Sequence, residues 1–195
     1  MLAKHLAVVS ILLSALAVSA ENVPANPCSA LQQRQFDFWV GDWKLTWPGD
    51  KPGETVHGTN RIVRILDGCV VQENFDAGSG MHLRGTSVST FDTRSGKWKQ
   101  TWVDNEGGYL DFVGEWKNGQ MILAREAVRP DGSKILQHMV WKNVGPDALD
   151  WSWEASEDGG KTWQVRWPIH YSRQPRNAVA ATLQEARPKM LSAKP

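Results

Sequence analysis

Short stretches in which apolar and polar residues alternate, separated by turn sequences, fill the chain between residues 38 and 171. Alternation at every second position is the repeat of a β-strand with one buried face, and no stretch in this region follows the repeat of a long helix. Turn sequences such as Lys117-Asn118-Gly119 contain asparagine and glycine, which readily adopt the positive φ of tight hairpins. The pattern predicts ten strands, over residues 38–47, 55–65, 69–76, 82–92, 97–104, 108–116, 120–129, 133–144, 148–156 and 161–171.

Nine of the eleven tryptophans fall into groups whose members are an even number of residues apart. Even spacing places the members of a group on one face of a strand. In a helix, by contrast, Trp153 would be rotated by about 200° from Trp151, at about 100° per residue. We therefore expect the strands to turn their aromatic faces toward one interior. The groups are Trp39, Trp43 and Trp47, then Trp98 with Trp102, Trp151 with Trp153, and Trp163 with Trp167.

The connections between the predicted strands are short, so consecutive strands should lie side by side and antiparallel. Ten strands in an open sheet would leave two edges exposed, and closure of the sheet removes both. The sequence therefore predicts an all-β fold. It is a single antiparallel up-and-down barrel of about ten strands, preceded by a short N-terminal helix over residues 29–36. A sandwich of two sheets is the alternative.

The two ends of the chain have a different character from the barrel. Residues 1–20 are typical of a signal peptide, with a basic start at Lys4, an apolar run and small residues up to Ala20. The run is short for a membrane span, so we expect a periplasmic or secreted protein without stable membrane insertion; a retained signal anchor is the alternative. The expected organisation is a leader over 1–20, a segment with the short helix over 21–35, the barrel over 36–171 and a tail over 172–195 that contains a second short helix at 178–187.

The charge balance argues against a nucleic-acid partner. The chain has 22 basic and 21 acidic residues. Cleavage after Ala20 would remove Lys4 and leave 21 of each. A chain without net charge, whose basic residues are dispersed, lacks the electrostatic footprint that nucleic acid or an anionic membrane requires.

The two cysteines, Cys28 and Cys69, both remain after cleavage of the leader. In an oxidising compartment we expect them to be paired, which would join the N-terminal segment to the third predicted strand. Two unpaired buried thiols are the alternative. No metal site is expected, because two isolated cysteines lack the short ligand spacing of a zinc site.

Three stretches resemble one family of proteins. They are FDFWVGDW at residues 36–43, SGKWKQTWVD at 95–104 and SEDGGKTW at 156–163. Together they resemble an uncharacterised bacterial family of lipocalin-like, calycin-type barrels, over residues 35–171. In lipocalins the tryptophan of Gly-x-Trp closes one end of the barrel, which implies structural roles for Trp39, Gly41 and Trp43. The resemblance implies no activity.

The third stretch also matches the Asp-box pattern of sialidase propellers. There the box stabilises a hairpin away from the catalytic centre, and a single box cannot build the blades of a propeller. We therefore interpret Asp158 and Trp163 as structural residues.

Candidate functional residues are polar side chains on otherwise apolar faces. Glu73 shares a face with Val71 and Phe75, while Gln100 and Asp104 share one with Trp98 and Trp102. A charge that faces an apolar interior is costly unless it is paired, so the structural interpretation is an internal partner such as Arg84 or Arg125. The functional interpretation is that Glu73, Trp98, Gln100, Trp102 and Asp104 hold the polar end of a ligand or act as acid and base.

No cofactor is expected. The histidines are single and lack metal-ligand spacing, and His170 is expected on the outer face; a haem-binding barrel with an inward histidine is the alternative. The predicted function is the binding of a small, largely apolar or amphipathic molecule in an aromatic cavity. A cofactor-free isomerase, cyclase or hydrolase using Glu73 and Asp104 is one alternative. A filled barrel that serves as an interaction module is another.

Overall fold

The computed structural model describes residues 27–175, which form a closed barrel of ten antiparallel strands. Each strand pairs with the next along the chain, and the first also pairs with the tenth. The prediction of an up-and-down barrel is thus confirmed, and a two-sheet sandwich is ruled out. The strands are β1 Gly41–Pro48, β2 Thr55–Ile65, β3 Val70–Asp76, β4 Arg84–Asp92, β5 Lys97–Asp104, β6 Tyr109–Lys117, β7 Gln120–Val128, β8 Lys134–Lys142, β9 Ala148–Ser156 and β10 Gln164–Arg173.

Residues 27–40, which we call the crossing segment, cross one end of the barrel before β1. This segment contains a single turn of 3₁₀ helix at Leu31–Arg34, where the N-terminal helix is predicted, and a second turn at Asp37–Trp39. A disulfide joins Cys28 in this segment to Cys69, with a Cα separation of 5.0 Å. In the chain-entropy model, closing a loop of this length stabilises the fold by about 4 kcal/mol. The predicted leader over 1–20 and the helix at 178–187 lie outside the described residues.

The prediction that the first strand begins at residue 38 is wrong by three residues. The N–H of Trp39 donates to the Phe36 carbonyl at 3.0 Å, which makes a local turn instead of a strand. Trp39 therefore belongs to the crossing segment and does not share a strand face with Trp43. Gly41, with φ of 140°, begins β1, and a side chain at this position would collide with the guanidinium of Arg173.

The prediction that Trp163 shares a face with Trp167 is also wrong. A β-bulge between Val165 and Trp167 shifts the register of β10 against β9. The bulge inserts an extra residue and so reverses the alternation of faces. Trp167 and Ile169 face the interior, whereas Val165 is 52% exposed. Trp163 precedes the strand and stacks on His138 outside the barrel, with ring centroids 3.6 Å apart.

One end of the barrel, which we call the closed end, is filled by the crossing segment. Trp43 is fully buried there, and its Nε1 donates to the Trp39 carbonyl at 2.7 Å. The guanidinium of Arg173 lies over the Trp43 ring, 4.1 Å from its centroid, and donates to the carbonyls of Phe38 and Val40. Arg173 thus fastens the end of the last strand to the crossing segment.

At the opposite end, which we call the open end, two pairs of neighbouring strands separate. Pairing between β1 and β10 extends only from Trp43 to Thr46 on β1. Pairing between β6 and β7 is limited to Val113–Lys117 on β6, although both strands continue toward the open end. Pro48 and Pro168 lie on the unpaired stretches of the first pair, and neither has an N–H to donate. The barrel is therefore fully paired at the closed end and splayed at two places at the open end.

Candidate ligand-binding cavity

The barrel contains a cavity of about 260 Å³ that extends from its middle to the open end. Most of its wall is aromatic or aliphatic, and three titratable side chains contribute to it. The lining residues are Phe75, Trp102, Phe112, Trp141, Trp151, Trp153 and Trp167, with Leu83, Leu110, Met139 and Ile169, and the polar Glu73, Asp104 and Tyr171.

The aromatic wall is built by strand alternation and cross-strand pairing. Trp153 on β9 lies opposite Trp167 on β10, and Trp151 lies opposite Trp141 on β8. The rings of Trp141 and Trp151 meet edge to face, as do Trp151 with Trp167 at 5.8 Å and Phe75 with Trp102 at 5.9 Å between centroids. Edge-to-face contacts of this kind stabilise fixed ring positions beyond the area they bury. The wall is therefore preformed.

Glu73 lies at the inner limit of the cavity and is buried. Its carboxylate accepts hydrogen bonds from Asn60 Nδ2 at 2.6 Å and from Ser87 Oγ at 2.7 Å. Burial raises the pKa of Glu73 to about 7, and the hydrogen bonds from Ser87 and Asn60 only partly oppose this. The same Asn60 amide contacts the Tyr171 hydroxyl at 3.2 Å.

Within residues 27–175, no arginine pairs with Glu73, although we expected an internal arginine as its partner. Arg84 is exposed on the outer face of β4, and the guanidinium of Arg125 lies over the ring of Phe112. Both partners of Glu73 are neutral, so no positive charge in the described part of the chain compensates the buried carboxylate. This is why the pKa of Glu73 is raised rather than lowered.

Asp104 lies at the mouth of the cavity, and its environment is the opposite of that of Glu73. It accepts hydrogen bonds from Trp102 Nε1 at 2.9 Å and from the amides of Glu106 and Gly108 at 3.0 and 2.8 Å. These bonds, with that from Trp102 the strongest, lower the pKa of Asp104. Asp104 is thus an ionised residue that holds the β5–β6 turn, and its acceptor positions are largely occupied.

Trp98 and Gln100 face inward, as the alternation of β5 predicts, but they lie outside the cavity wall. Trp98 is 1% exposed, and its Nε1 donates to Gln35 of the crossing segment at 3.1 Å. Gln100 donates to Ser89 Oγ at 2.8 Å. Of the five predicted ligand-binding residues, the structure therefore brings Glu73, Trp102 and Asp104 to the cavity. It places Trp98 and Gln100 in the core nearer the closed end.

The sequence interpretation did not single out Trp141, Phe112 or Met139 as cavity residues. Trp141 stands alone in the sequence, without a second tryptophan at even spacing, so the grouping that revealed the other rings misses it. Alternation along β8 does not reveal it either, because Met139, Val140 and Trp141 are consecutive apolar residues and all three are buried.

The Asp158 hairpin lies between β9 and β10, away from the cavity. Asp158 accepts hydrogen bonds from Ser156 Oγ, from the amides of Lys161 and Thr162, and from Thr162 Oγ1, at 2.6 to 3.0 Å. These bonds lower the pKa of Asp158, with Thr162 contributing most. The arrangement is that of a turn stabiliser, in agreement with the structural interpretation of the motif.

A comparison with models of protein families assigns the chain to a family. A family model described as "Protein of unknown function (DUF1579)" matches residues 30–173. The chain belongs to the DUF1579 family. The matched region contains both 3₁₀ turns of the crossing segment and all ten strands of this DUF1579 barrel, and the description of the family names no activity. A comparison with curated proteins finds no match. Within residues 27–175, no helix is both long and apolar enough to cross a membrane.

Proposed function

We propose that this DUF1579 protein binds a small, largely apolar molecule in the aromatic cavity. The observation that carries the proposal is a preformed cavity of about 260 Å³ with an almost entirely apolar wall and a mouth at the splayed end. Small-molecule sites have this composition, with a few polar groups that fix the orientation of the ligand. The cavity also favours a binding protein over a filled barrel that acts as an interaction module.

Hydrogen-bonding groups without a partner support the same proposal. The Nε1 atoms of Trp141 and Trp167 are buried and have no acceptor among residues 27–175, although both rings line the cavity. A buried donor without a partner costs about 1–3 kcal/mol. A ligand with an acceptor atom near either ring would remove that cost.

We further propose that the protein acts in the periplasm or outside the cell. The Cys28–Cys69 disulfide supports an oxidising compartment, and residues 1–20 have the pattern of a leader. The position of Trp43 at the closed end supports the relationship to lipocalins that Gly41-x-Trp43 suggests.

The binding proposal can be tested with N-phenyl-1-naphthylamine, a neutral lipophilic fluorophore. Its emission should rise saturably with the protein, and tryptophan emission should fall in parallel. Trp102→Ala should weaken binding by about 1 kcal/mol or more, because a flat ring of the wall is removed. Trp163→Ala is the matched control, since this tryptophan lies outside the barrel, and should leave the affinity unchanged. Emission that does not saturate, or equal effects of both variants, would contradict the proposal.

A second function, acid–base catalysis without a cofactor, is favoured by Glu73 alone. A carboxyl group that faces a cavity and has a pKa of about 7 is suited to proton transfer near neutral pH. Asp104 does not share this property, because its pKa is lowered. The enzyme would therefore depend on one carboxyl group instead of the predicted pair.

This second function can be tested with 5-nitrobenzisoxazole, a planar aromatic substrate whose ring opening requires only a base. Catalysis by Glu73 should rise with pH around a midpoint near 7. Glu73→Gln should lower the rate by about a hundredfold or more, whereas Asp104→Asn should preserve it. A rate that is the same in the wild type and in Glu73→Gln would rule out Glu73 as an accessible base.

A further inference from the structure

Arg125 is an inward-facing cation at the edge of the cavity. It lies on β7 opposite Gln137 of β8. The next inward-facing pair toward the closed end is Leu123 with Met139. Met139 lines the cavity, and so does Phe112, whose ring centroid is 5.9 Å from the Arg125 guanidinium. The side chain of Arg125 is therefore at the mouth, in contact with the wall.

The guanidinium of Arg125 has no acidic or hydrogen-bonding partner within residues 27–175 and lies over the Phe112 ring. All other partly buried arginines of the described region are satisfied. Arg34 and Arg64 pair with Asp37, Arg129 pairs with Glu157, and Arg173 donates to main-chain carbonyls.

Arg125 is partly buried, so its guanidinium has lost part of its hydration, and no acceptor in the described region compensates for that loss. The position of Arg125 beside the splayed strands indicates a binding role for this uncompensated cation. Pairing between β6 and β7 stops at Val113 and Ala124, immediately before Arg125. An anionic group that enters at the mouth can therefore reach the guanidinium without crossing a paired sheet.

We propose that Arg125 forms an anion subsite, and that the ligand is an amphipathic carboxylic acid. Its carboxylate would bind the guanidinium, and its apolar body would fill the cavity. This inference rests on the proposed binding function. A guanidinium presents its N–H donors in a planar fork that matches the two oxygens of a carboxylate, and such charge-assisted bonds are stronger than neutral ones.

The groups at the two ends of the cavity fix the orientation of such a ligand. At the inner limit, Glu73 and its neutral partners offer no positive charge, so a carboxylate buried there would be uncompensated; the apolar tail therefore lies inward and the acidic head lies at the mouth. Asp104 also borders the mouth. Its oxygens already accept hydrogen bonds from Trp102 and two turn amides, so it offers little to a cationic head group, whereas Arg125 offers free donors to an anionic one.

The test compares decanoate with 1-decanol, which share an apolar chain and differ in the head group. Calorimetric titration of the exported protein should show decanoate binding about tenfold more tightly than 1-decanol. Arg125→Leu should abolish this preference and leave the affinity for 1-decanol within about twofold. Arg84→Leu is the matched control, because it removes the same charge at the same end from the outer face and should preserve the preference.

The outcomes separate the two proposals. If both compounds bind equally well and Arg125→Leu changes neither affinity, the anion subsite is refuted and the cavity proposal stands. If neither compound nor the neutral fluorophore binds, the binding function fails and the subsite fails with it. Arg125→Gln serves as a second variant if Arg125→Leu does not fold, which far-UV circular dichroism would reveal. It should also abolish the preference for decanoate.

Discussion

The two ends of the barrel are built from the same kind of side chain and behave differently. At the closed end, Trp39, Trp43 and Trp98 are at most 1% exposed and pack against one another or against Phe36 and Tyr171. At the open end, Trp102, Trp153 and Trp167 are only partly buried and surround a cavity. Aromatic composition alone therefore does not decide whether a barrel interior is filled.

The difference comes from what closes each end. The crossing segment supplies Phe36 and Trp39 to the closed end and is fastened there by a disulfide and by Arg173. At the open end no such segment enters in residues 27–175, and the β1–β10 and β6–β7 pairs separate before their strands end. Extra side chains fill one end, and lost strand pairing widens the other. One aromatic pattern can therefore build both a filled core and the wall of a cavity.

Removing one tryptophan from each end tests the difference in packing between the two ends most directly. Trp43→Ala should lower the free energy of unfolding by about 3–5 kcal/mol, because a fully buried ring, its bond to the Trp39 carbonyl and the stacked Arg173 are all lost. Trp102→Ala should cost only about 1–2 kcal/mol, since this ring already borders a void. Urea unfolding of both variants measures the difference.

Equal losses for the two variants would mean that the open end is as tightly packed as the closed end. A loss below about 1 kcal/mol for Trp43→Ala would show that the crossing segment does not depend on this ring. Lys44→Ala is a suitable control for strand β1, because its side chain is exposed next to Trp43 and should change stability by less than about 0.5 kcal/mol.

Most of the architecture follows from local sequence patterns. Turn residues and period-two alternation predict ten strands, and all ten observed strands begin within three residues of the predicted positions. The faces of β5 are also correct, since Trp98, Gln100 and Trp102 point inward while Lys99 is exposed. Local patterns succeed here because both strand formation and side-chain direction are set by neighbouring residues.

Several features that depend on distant residues were not predicted from the sequence. Alternation places Trp98 and Trp102 on one face but does not reveal that the crossing segment covers the first and leaves the second beside a void. The bulge in β10 reversed the predicted face of Val165. The sequence did not reveal this bulge, because one inserted residue leaves no mark in composition. The partners of Glu73 were also missed, because Asn60 and Ser87 reach it only when β2, β3 and β4 are paired.

A smaller effect should arise where the filled and open halves of the barrel meet, at Glu73. The folded protein raises the pKa of this group from 4.5 to about 7, so it holds the proton more tightly than the unfolded chain does. The resulting stability is fully present below about pH 4.5 and is lost as the pH rises through 7. At 1.36 kcal/mol per pKa unit, the free energy of unfolding falls by about 3 kcal/mol over this range.

Urea unfolding of the wild type and of Glu73→Gln between pH 5 and 8.5 tests this expectation. The amide stays neutral, so the stability of the variant relative to the wild type should increase with pH by up to about 3 kcal/mol. Taking the difference between the two proteins cancels the contributions of all other titrating groups. The carboxylates with lowered pKa, such as Asp104 and Asp158, lose their contribution only at more acidic pH and do not enter this window.

Parallel stability curves would mean that Glu73 is ionised throughout the range. In that case the inner limit of the cavity would be as well hydrated as its mouth, and the contrast between the two ends would hold for the aromatic rings but not for the polar groups.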